Sequence, residues 1–461
     1  MKIPCVGRLA FVVCGLSFLK PALTCIQFQN LTLIATAPVL GSSFNLTEIS
    51  RMWLAEKCVS TLSYFLSDAK FSTWEMQQLY ALRVLSLYRI RGGYFIIDDT
   101  LNHHTNFCRW IHGVCVLFDH TAKTNLKAVC LVVLYYSDGA FIKFPICFRI
   151  YYRDDTKKGS IMPWRRRKEF LYKTKYELAV EMLEWAIGAG FPKCTVLADS
   201  WFGIGPFVKE LRRLELSYVL EIKNSYNIKT PCGSPRYTKT GRLSKKQYDL
   251  TNIAEFFRRI LPVVRCGFAP DRDAGKDEKT LYQVKIITAR LNSVSGKHRI
   301  IESTDPVRQT VKYIITNELT WEATRIISAY NCRWVIEEFF RNAKQLSDME
   351  GATVRSEQGV TTALCLVFWL DFLFHYENCK QGTAGELPEE SLTIPSIVRR
   401  AQYENLEAFA EKVRNDEGFV GRWLETEKKR TDRKRKIRKE LIITEENKNS
   451  ERIPDSGNVC K

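Results

Sequence analysis

The chain has 461 residues, of which 45% are hydrophobic and 26% charged, so it can form two or three domains with their own cores, and disorder over most of its length is excluded. No apolar run reaches the roughly 18 residues of a membrane-spanning helix, so we expect no membrane segment. Its 69 Lys and Arg outnumber 51 Asp and Glu, and the net charge of +18 favours a polyanionic partner, nucleic acid before anionic membrane, over a generally basic surface.

The fifteen cysteines are scattered and never form a C-x-x-C pair, which argues against a zinc ribbon and favours reduced thiols in a cytoplasmic protein. Lys2 and Arg8 precede an apolar run at 9–19, a pattern that is also typical of a secretory signal peptide. Because the rest of the chain favours the cytoplasm, we interpret this run as an apolar helix or an irregular start, with secretion as the alternative.

Residues 1–90 are predicted to be a mostly helical N-terminal region and a candidate DNA-binding region, although no helix-turn-helix signature is present. Apolar residues recur with mixed helical periodicity at 48–66 and 74–91, and Gly92-Gly93 ends the second stretch.

The segment 91–225 changes to short apolar strands, with a turn signal at Ser137-Asp138-Gly139. Its predicted strands are 94–97, 114–118, 128–136, 141–151, 194–198 and 218–223, and its predicted helices are 175–189 and 206–214. Strands first, followed by alternating helix and strand, predict an α/β fold: an RNase H-like core in which helices flank a mixed five-stranded sheet.

Pro, Gly and Lys clusters interrupt this order at 226–314, where we expect a β-rich insertion with a short helix and two strands. The core is predicted to resume at 315–380 with two helices, 321–346 and 359–376. The segment 381–461 is predicted to be a helical, basic C-terminal tail that either contacts DNA phosphates or is a solvated charged surface. Other basic stretches that fit DNA lie at 165–168, 209–213 and 239–246.

Two acids stand at the ends of apolar strands, Asp98 after 94–97 and Asp199 after 194–198. Strand ends in a mixed sheet can lie side by side, and two close carboxylates repel unless a cation joins them. Oxygen-only ligands suit Mg²⁺ or Mn²⁺ rather than zinc. The alternative is a pair of unrelated, solvated loop acids.

The predicted helix 321–346 carries four polar residues, Tyr330, Arg333, Glu337 and Lys344, at i, i+3, i+7 and i+14. At about 100° per residue they fall within an arc of roughly 60°, opposite an apolar stripe. A solvated face with Glu–Arg pairs is the alternative interpretation.

This spacing resembles the Y-x2-R-x3-E-x6-K signature of the DDE insertion-sequence transposases. Asp98-x-Thr100 and Asp199-Ser200-Trp201-Phe202-Gly203 are similar to the elements that carry the two aspartates of that family, and the insertion before the last helix also resembles it. The resemblance covers about 58–380 and is absent from the tail.

The resemblance implies a transposase that performs metal-dependent DNA cleavage and strand transfer at the ends of an insertion sequence. Asp98, Asp199 and Glu337 would hold two Mg²⁺ ions, with Mn²⁺ as the alternative metal. Tyr330, Arg333 and Lys344 would contact DNA, with the Arg as a bidentate fork on phosphate. The alternatives are an inactive DNA-binding descendant and a nuclease without strand joining.

The implied partners are double-stranded DNA and a second copy of the chain, since two ends are joined, in a bacterial cytoplasm with association to the nucleoid. No Gly-rich phosphate loop appears, so no nucleotide cofactor is expected.

The sequence leaves three site questions open. Asp99 and Glu338 adjoin two of the proposed ligands, and the signature spacing favours Asp98 and Glu337 over them. The tryptophans Trp201 and Trp334 are candidates for base stacking, but we expect both to be buried in the core.

Overall fold

The computed structural model describes the backbone of residues 3–54, 58–104, 108, 110–119, 121–153, 172–240, 242–244, 247–259, 264–267, 281–305, 309–383, 393–429 and 432. The side chains of 264–267, 281 and 381–383 are outside this description. The basic stretch expected at 165–168 lies outside the described residues, as do residues 384–392, 430–431 and 433–461 of the predicted tail.

Within this described part, twelve strands form one sheet. They are β1 (Tyr94–His103), β2 (Cys115–Asp119), β3 (Thr124–Ser137), β4 (Lys143–Tyr151), β5 (Thr195–Ala198), β6 (Tyr218–Ile222), β7 (Asn227–Pro231), β8 (Tyr248–Asn252), β9 (Val264–Gly267), β10 (Leu281–Leu291), β11 (Lys297–Thr304) and β12 (Val311–Thr316).

Five of these strands have the order β4-β3-β1-β5-β6, in which β4, β3 and β1 are antiparallel and β1, β5 and β6 are parallel. This is the RNase H-like arrangement, so the predicted α/β fold class is confirmed. All residues of β3 from Ala128 to Ser137 are buried, because helices cover both faces of the sheet where its apolar run crosses the core.

The sheet is larger than the five strands expected from the sequence. Strand β12 pairs with β6 in antiparallel fashion, and β11, β10, β7 and β8 follow in that order. Strand β2 pairs with the start of β3, and β9 pairs with β10. The β-rich insertion is thus continuous with the core sheet, since the hydrogen-bonding edge of β6 accepts β12.

The described helices cluster at the N-terminus, around the sheet and at the end of the chain. They are α1 (Ala10–Gly15), α2 (Cys25–Val39), α3 (Leu46–Met52), α4 (Val59–Ser67), α5 (Thr73–Tyr88), α6 (Lys175–Gly188), α7 (Gly205–Arg213), α8 (Ile253–Arg258), α9 (Ala323–Asn331), α10 (Trp334–Gln345), α11 (Glu357–Thr383) and α12 (Ile394–Asn415). Short 3₁₀ helices span Ser17–Ala22 and Met349–Gly351, and helical backbone resumes at 419–429.

The apolar N-terminal run at 9–19 forms α1 and the start of the following 3₁₀ helix. Val12, Leu16 and Leu19 are buried. Gly15 meets Leu373 of α11 so closely that a Cβ at this position would lie 2.3 Å from a Leu373 methyl group. This run is part of the protein's core.

Helix α11 is a buried helix that packs against β4. Its stretch Glu357–Lys380 is long and apolar enough to cross a membrane by length and composition, but 89% of its most apolar window is buried inside the protein. Phe368 and Phe372 contact Phe148 and Phe144 of β4. Its apolar composition is therefore explained by packing against β4 and its other neighbours.

The prediction of a single helix at 321–346 is wrong, because the segment forms two helices, α9 and α10, with an interruption between them. The N–H groups of Arg333 and Ile336 donate to carbonyls three residues back, on Tyr330 and Arg333, at 3.0 and 3.2 Å. This tighter turn separates Tyr330, on α9, from Glu337 and Lys344, on α10. The four signature residues therefore do not share one continuous helix.

Candidate active site

Strand register brings three acidic residues side by side on one face of the sheet. In the parallel pair β1/β5, Ile97 lies beside Ala198, so the next residues, Asp98 and Asp199, are neighbours. The register of β5/β6 continues in the same way and places Glu221 next to Asp199. Side chains alternate between faces along a strand and adjacent strands lie about 5 Å apart, so the three residues form a row across the sheet.

The start of α10 brings a cation and a fourth acid to this row. Arg333 Nη1 donates to Asp98 Oδ2 at 2.8 Å, and Arg333 Nη2 donates to Glu337 Oε1 at 2.5 Å. The Arg333 side chain is only 11% exposed, so these charge-assisted bonds are shielded from solvent. Asp98 and Glu337, 239 positions apart in the chain, thus share one guanidinium group.

The aspartates are in an environment that disfavours their charged forms. Burial, with smaller contributions from the charges of Asp199 and Asp99, raises the pKa of Asp98 to about 7, although Arg333 opposes the change. Burial also raises the pKa of Asp199, against the lowering effects of the Trp201 N–H and Arg333. The charge of Arg333 therefore does not compensate both buried carboxylates.

The neighbouring acids Asp99 and Glu338 have other partners. Asp99 faces the opposite side of the sheet from Asp98, where Lys175 Nζ of α6 lies 2.8 Å from its Oδ2. Glu338 is 9% exposed and pairs with Lys143 Nζ of β4 at 3.2 Å.

Two residues that the sequence suggests for DNA contact are engaged within the protein. Tyr330 is 5% exposed and donates its hydroxyl hydrogen bond to Glu221 Oε2. Lys344 Nζ donates to the Leu101 carbonyl of β1 at 2.8 Å and lies 3.2 Å from Glu350. Both residues connect the helices that follow the insertion to the sheet.

The expectation that Trp201 and Trp334 are buried is wrong, since each is 50% exposed. The backbone N–H of Trp201 donates to Asp199 Oδ1 at 3.0 Å, so this residue directly adjoins the row of acids. Lys175 Nζ and Lys223 Nζ lie 4.9 and 5.7 Å from the centre of the Trp201 ring. An exposed aromatic ring with two cations borders the site.

The donor set suits an oxygen-preferring divalent cation, although the side chains are not arranged around one. Among the residues that the structure describes, no three His, Cys, Asp or Glu side chains are grouped closely enough to hold a metal ion. The acids at the site are all carboxylates, and the burial of Asp98 and Asp199 leaves negative charge to be compensated. Arg333 provides positive charge between Asp98 and Glu337, so a metal ion shared by these two acids would have to displace it.

Sequence reasoning missed Glu221. The available signal was an acid in the apolar string Tyr-Val-Leu-Glu-Ile at 218–222. Its position beside Asp199 depends on the pairing of β5 with β6, which no sequence spacing expresses.

Comparison with known proteins places these acids within two overlapping matches. Residues 45–255 match a family described as DDE superfamily endonuclease, and residues 174–370 match a family described as Transposase DDE domain. The chain is also similar to a probable transposase for insertion sequence element IS701 from Microchaete diplosiphon, with 26% identity over 212 residues. That alignment covers 44% of this chain and 50% of the relative, so the chain spans about half of the relative's length.

Proposed function

Because the chain belongs to the DDE superfamily of transposases and endonucleases, we propose that it cleaves DNA at the ends of an insertion sequence and joins the cleaved strands to a new DNA site. The observation that carries this proposal is that Asp98 and Asp199 lie close to each other and to the start of α10. Two buried aspartates lie on adjacent strands, and Arg333 links one of them to Glu337. Acids remote along the chain are thereby available to one reaction centre.

The superfamily implies dependence on a divalent metal. In our proposal Asp98 and Asp199 bind Mg²⁺, two ions in all, and Glu337 completes the ligand set, with Mn²⁺ able to replace Mg²⁺. When bound, the ions would activate the attacking oxygen and stabilise the leaving oxygen of an in-line phosphoryl displacement. The two sheet strands fix the aspartates rigidly, which keeps reorganisation during the reaction small.

Arg333 is proposed to hold a DNA phosphate. Its planar guanidinium can donate two parallel hydrogen bonds to a phosphate as readily as to the carboxylates that it contacts in this structure. Phosphate binding would thus turn Arg333 away from Asp98 and Glu337. Lys344 would add a point charge nearby. Tyr330, which is 5% exposed, would support the DNA-binding surface by anchoring α9 through Glu221 rather than by touching DNA itself.

The proposed partners are double-stranded DNA and a second copy of this chain, because strand joining requires two ends. The basic composition of +18 supports the DNA partner. We place the reaction in the bacterial cytoplasm, at the nucleoid.

A cleavage and strand-transfer assay tests this function. The full chain is incubated with labelled duplexes that carry the DNA from either side of its coding sequence, with supercoiled plasmid as the target and with Mg²⁺ or Mn²⁺. We expect cut ends and plasmid-joined products that disappear with EDTA and in Asp98→Asn, Asp199→Asn and Glu337→Gln.

Each other result has a definite meaning in this assay. Cutting without joining would identify a nuclease, and DNA binding without cutting would identify an inactive DNA-binding descendant. If all three variants cut as well as the parent chain, the site assignment is wrong.

A further inference from the structure

Glu221 continues the row of acids by one strand. Strands β1, β5 and β6 are parallel, and Asp98, Asp199 and Glu221 occupy successive register positions on the same face. Adjacent strands lie about 5 Å apart. Asp199 therefore has Asp98 on one neighbouring strand and Glu221 on the other, at about the same spacing.

The loop after Asp199 is held tightly against the strand that carries Glu221. A Cβ at Gly203 would lie 2.0 Å from the Glu221 carbonyl oxygen, so only glycine allows this approach. Tyr226 Oη donates to the Gly203 carbonyl at 2.8 Å. The relative position of Asp199 and Glu221 is therefore fixed by the backbone.

The contacts of the Glu221 carboxylate fall on one of its two oxygens. The Tyr330 hydroxyl donates to Oε2, and Lys312 Nζ lies 3.6 Å from the same atom. Within the described part of the chain, neither contact uses Oε1. A carboxylate has about four acceptor positions, so Oε1 can serve a further ligand while Tyr330 orients the group.

We propose that Glu221 is a fourth carboxylate of the metal-binding centre and shares a divalent cation with Asp199. This inference rests on the proposed function, because it adds a ligand to the site formed by Asp98, Asp199 and Glu337. Glu221 supplies a hard oxygen donor on the side of Asp199 that faces away from Asp98, and the Tyr330 hydrogen bond holds that donor in orientation.

The chain offers a matched control in Glu302 of β11. Glu302 also accepts a hydrogen bond from a tyrosine hydroxyl, that of Tyr313 at 3.1 Å, and pairs with a lysine, Lys285 at 3.0 Å. It pairs in register with Tyr313 of β12 and has no place in the row of acids. A general effect of neutralising a glutamate in a Tyr–Glu–Lys group would therefore appear equally at both positions.

The test measures Mn²⁺ binding by the full chain without DNA, from the electron paramagnetic resonance signal of the free ion. We expect Glu221→Gln to weaken Mn²⁺ binding at least about tenfold and Glu302→Gln to leave it unchanged. Asp98→Asn is the positive control and should weaken binding by a similar or larger factor. If Asp98→Asn weakens binding while Glu221→Gln matches the parent chain, Glu221 only anchors Tyr330 and this inference is overturned, but the proposed function stands.

If the parent chain binds no Mn²⁺, or Asp98→Asn has no effect, the proposed metal site itself fails, and this inference fails with it. A second measurement covers the case in which Glu221→Gln does not fold. Fe²⁺ with ascorbate and peroxide cuts a backbone next to its binding site, and in the parent chain we expect cuts within β6 as well as near Asp98 and Asp199. Cuts that spare β6 would overturn the role of Glu221.

Discussion

At the scale of single residues, the alternation of side chains along β1 gives two adjacent aspartates different surroundings. Asp98 faces Arg333 and α10, whereas Asp99 faces Lys175 and α6 on the other side of the sheet. Alternation along a strand predicts that the two aspartates lie on opposite faces of the sheet. It does not predict which face contacts α10, so it could not decide between them. The D-x-T spacing favoured Asp98, and the arrangement around Arg333 supports the same choice.

We expect Asp98→Asn to reduce DNA cleavage at least about a hundredfold, since it removes a charged oxygen ligand from the proposed metal site. Asp99→Asn should retain cleavage within a few-fold but lower the free energy of unfolding by about 2 kcal/mol, because it leaves the mostly buried Lys175 ammonium without its partner. Cleavage assays and urea unfolding of both variants measure these effects. Equal loss of cleavage in two equally folded variants would contradict the assignment.

Glu221 marks the limit of sequence reasoning at this scale. Asp98, Asp199 and Glu337 could be selected because each matches a family element at a fixed spacing. Glu221 has no such spacing, and its relation to Asp199 appears only when β5 and β6 pair in parallel. Residues brought together by register, rather than by sequence distance, are the ones that sequence reasoning misses.

At the scale of elements, the strands of the core were predictable and the helix junction was not. Apolar runs bounded by turn residues located β1, β3, β4, β5 and β6, because each run is buried on both faces. The interruption at Cys332 was not visible, since 321–346 has a continuous helical pattern without Gly or Pro. It follows from tertiary contacts on each side, Tyr330 with Glu221 and Arg333 with Asp98.

Helix α11 contains a buried acid whose titration should be measurable as stability. Asp371 is 2% exposed, and its Oδ1 has no hydrogen-bond partner among the described residues, while the Tyr135 hydroxyl donates to Oδ2 at 3.2 Å. Burial raises the pKa of Asp371 to about 7, although the Tyr135 hydrogen bond and the Lys143 charge oppose this change. The folded protein therefore binds this proton more tightly than the unfolded chain does.

It follows that stability from Asp371 is present below a pH of about 4 and is lost as pH rises to about 7. Over this window the free energy of unfolding should fall by about 1.4 kcal/mol per pH unit relative to Asp371→Asn, and the difference should be constant above pH 7. Urea unfolding of both proteins from pH 5 to 8 checks this slope. Burial lowers the pKa of His375 to about 3, and this residue is present in both proteins, so it affects both stabilities alike. Parallel plots of unfolding free energy against pH would therefore refute a buried, protonated Asp371.

At the scale of the whole molecule, the β-rich insertion is part of the core's sheet. β12 pairs with β6 over four residue pairs, and Tyr218 Oη lies 2.7 Å from His298 Nε2 of β11, both in the interior. The sequence located this insertion by its composition but could not show that its strands extend the sheet, because the pairing of β6 with β12 joins segments about 90 residues apart.

We expect the core and the insertion to unfold as one cooperative unit. The amides of Ile96 in β1, Ile300 in β11 and Ile315 in β12 should exchange hydrogen with the same free energy, that of global unfolding, because a break at β6/β12 would expose buried apolar residues on both sides. Native-state hydrogen exchange in increasing urea measures these energies. Exchange of β11 and β12 amides at urea concentrations that leave β1 protected would show that the insertion opens separately.

If the chain binds DNA as proposed, the salt dependence of the binding constant can isolate the phosphate contact of a single residue. With a net charge of +18, the logarithm of the DNA-binding constant should fall linearly with the logarithm of salt concentration, by about 0.9 per phosphate contacted. If Arg333 holds one phosphate, Arg333→Ala should lower this slope by about 1.

Arg325 is the matched control for this measurement. It lies on α9 with its guanidinium 4.0 Å from the centre of the Trp321 ring, and it has no contact with the row of acids among the described residues. Arg325→Ala should therefore keep the parent slope when binding is followed by fluorescence anisotropy from 50 to 200 mM salt. Equal slopes for both variants would mean that Arg333 stays on Asp98 and Glu337 when DNA binds, so that its role is to position these acids rather than to hold phosphate.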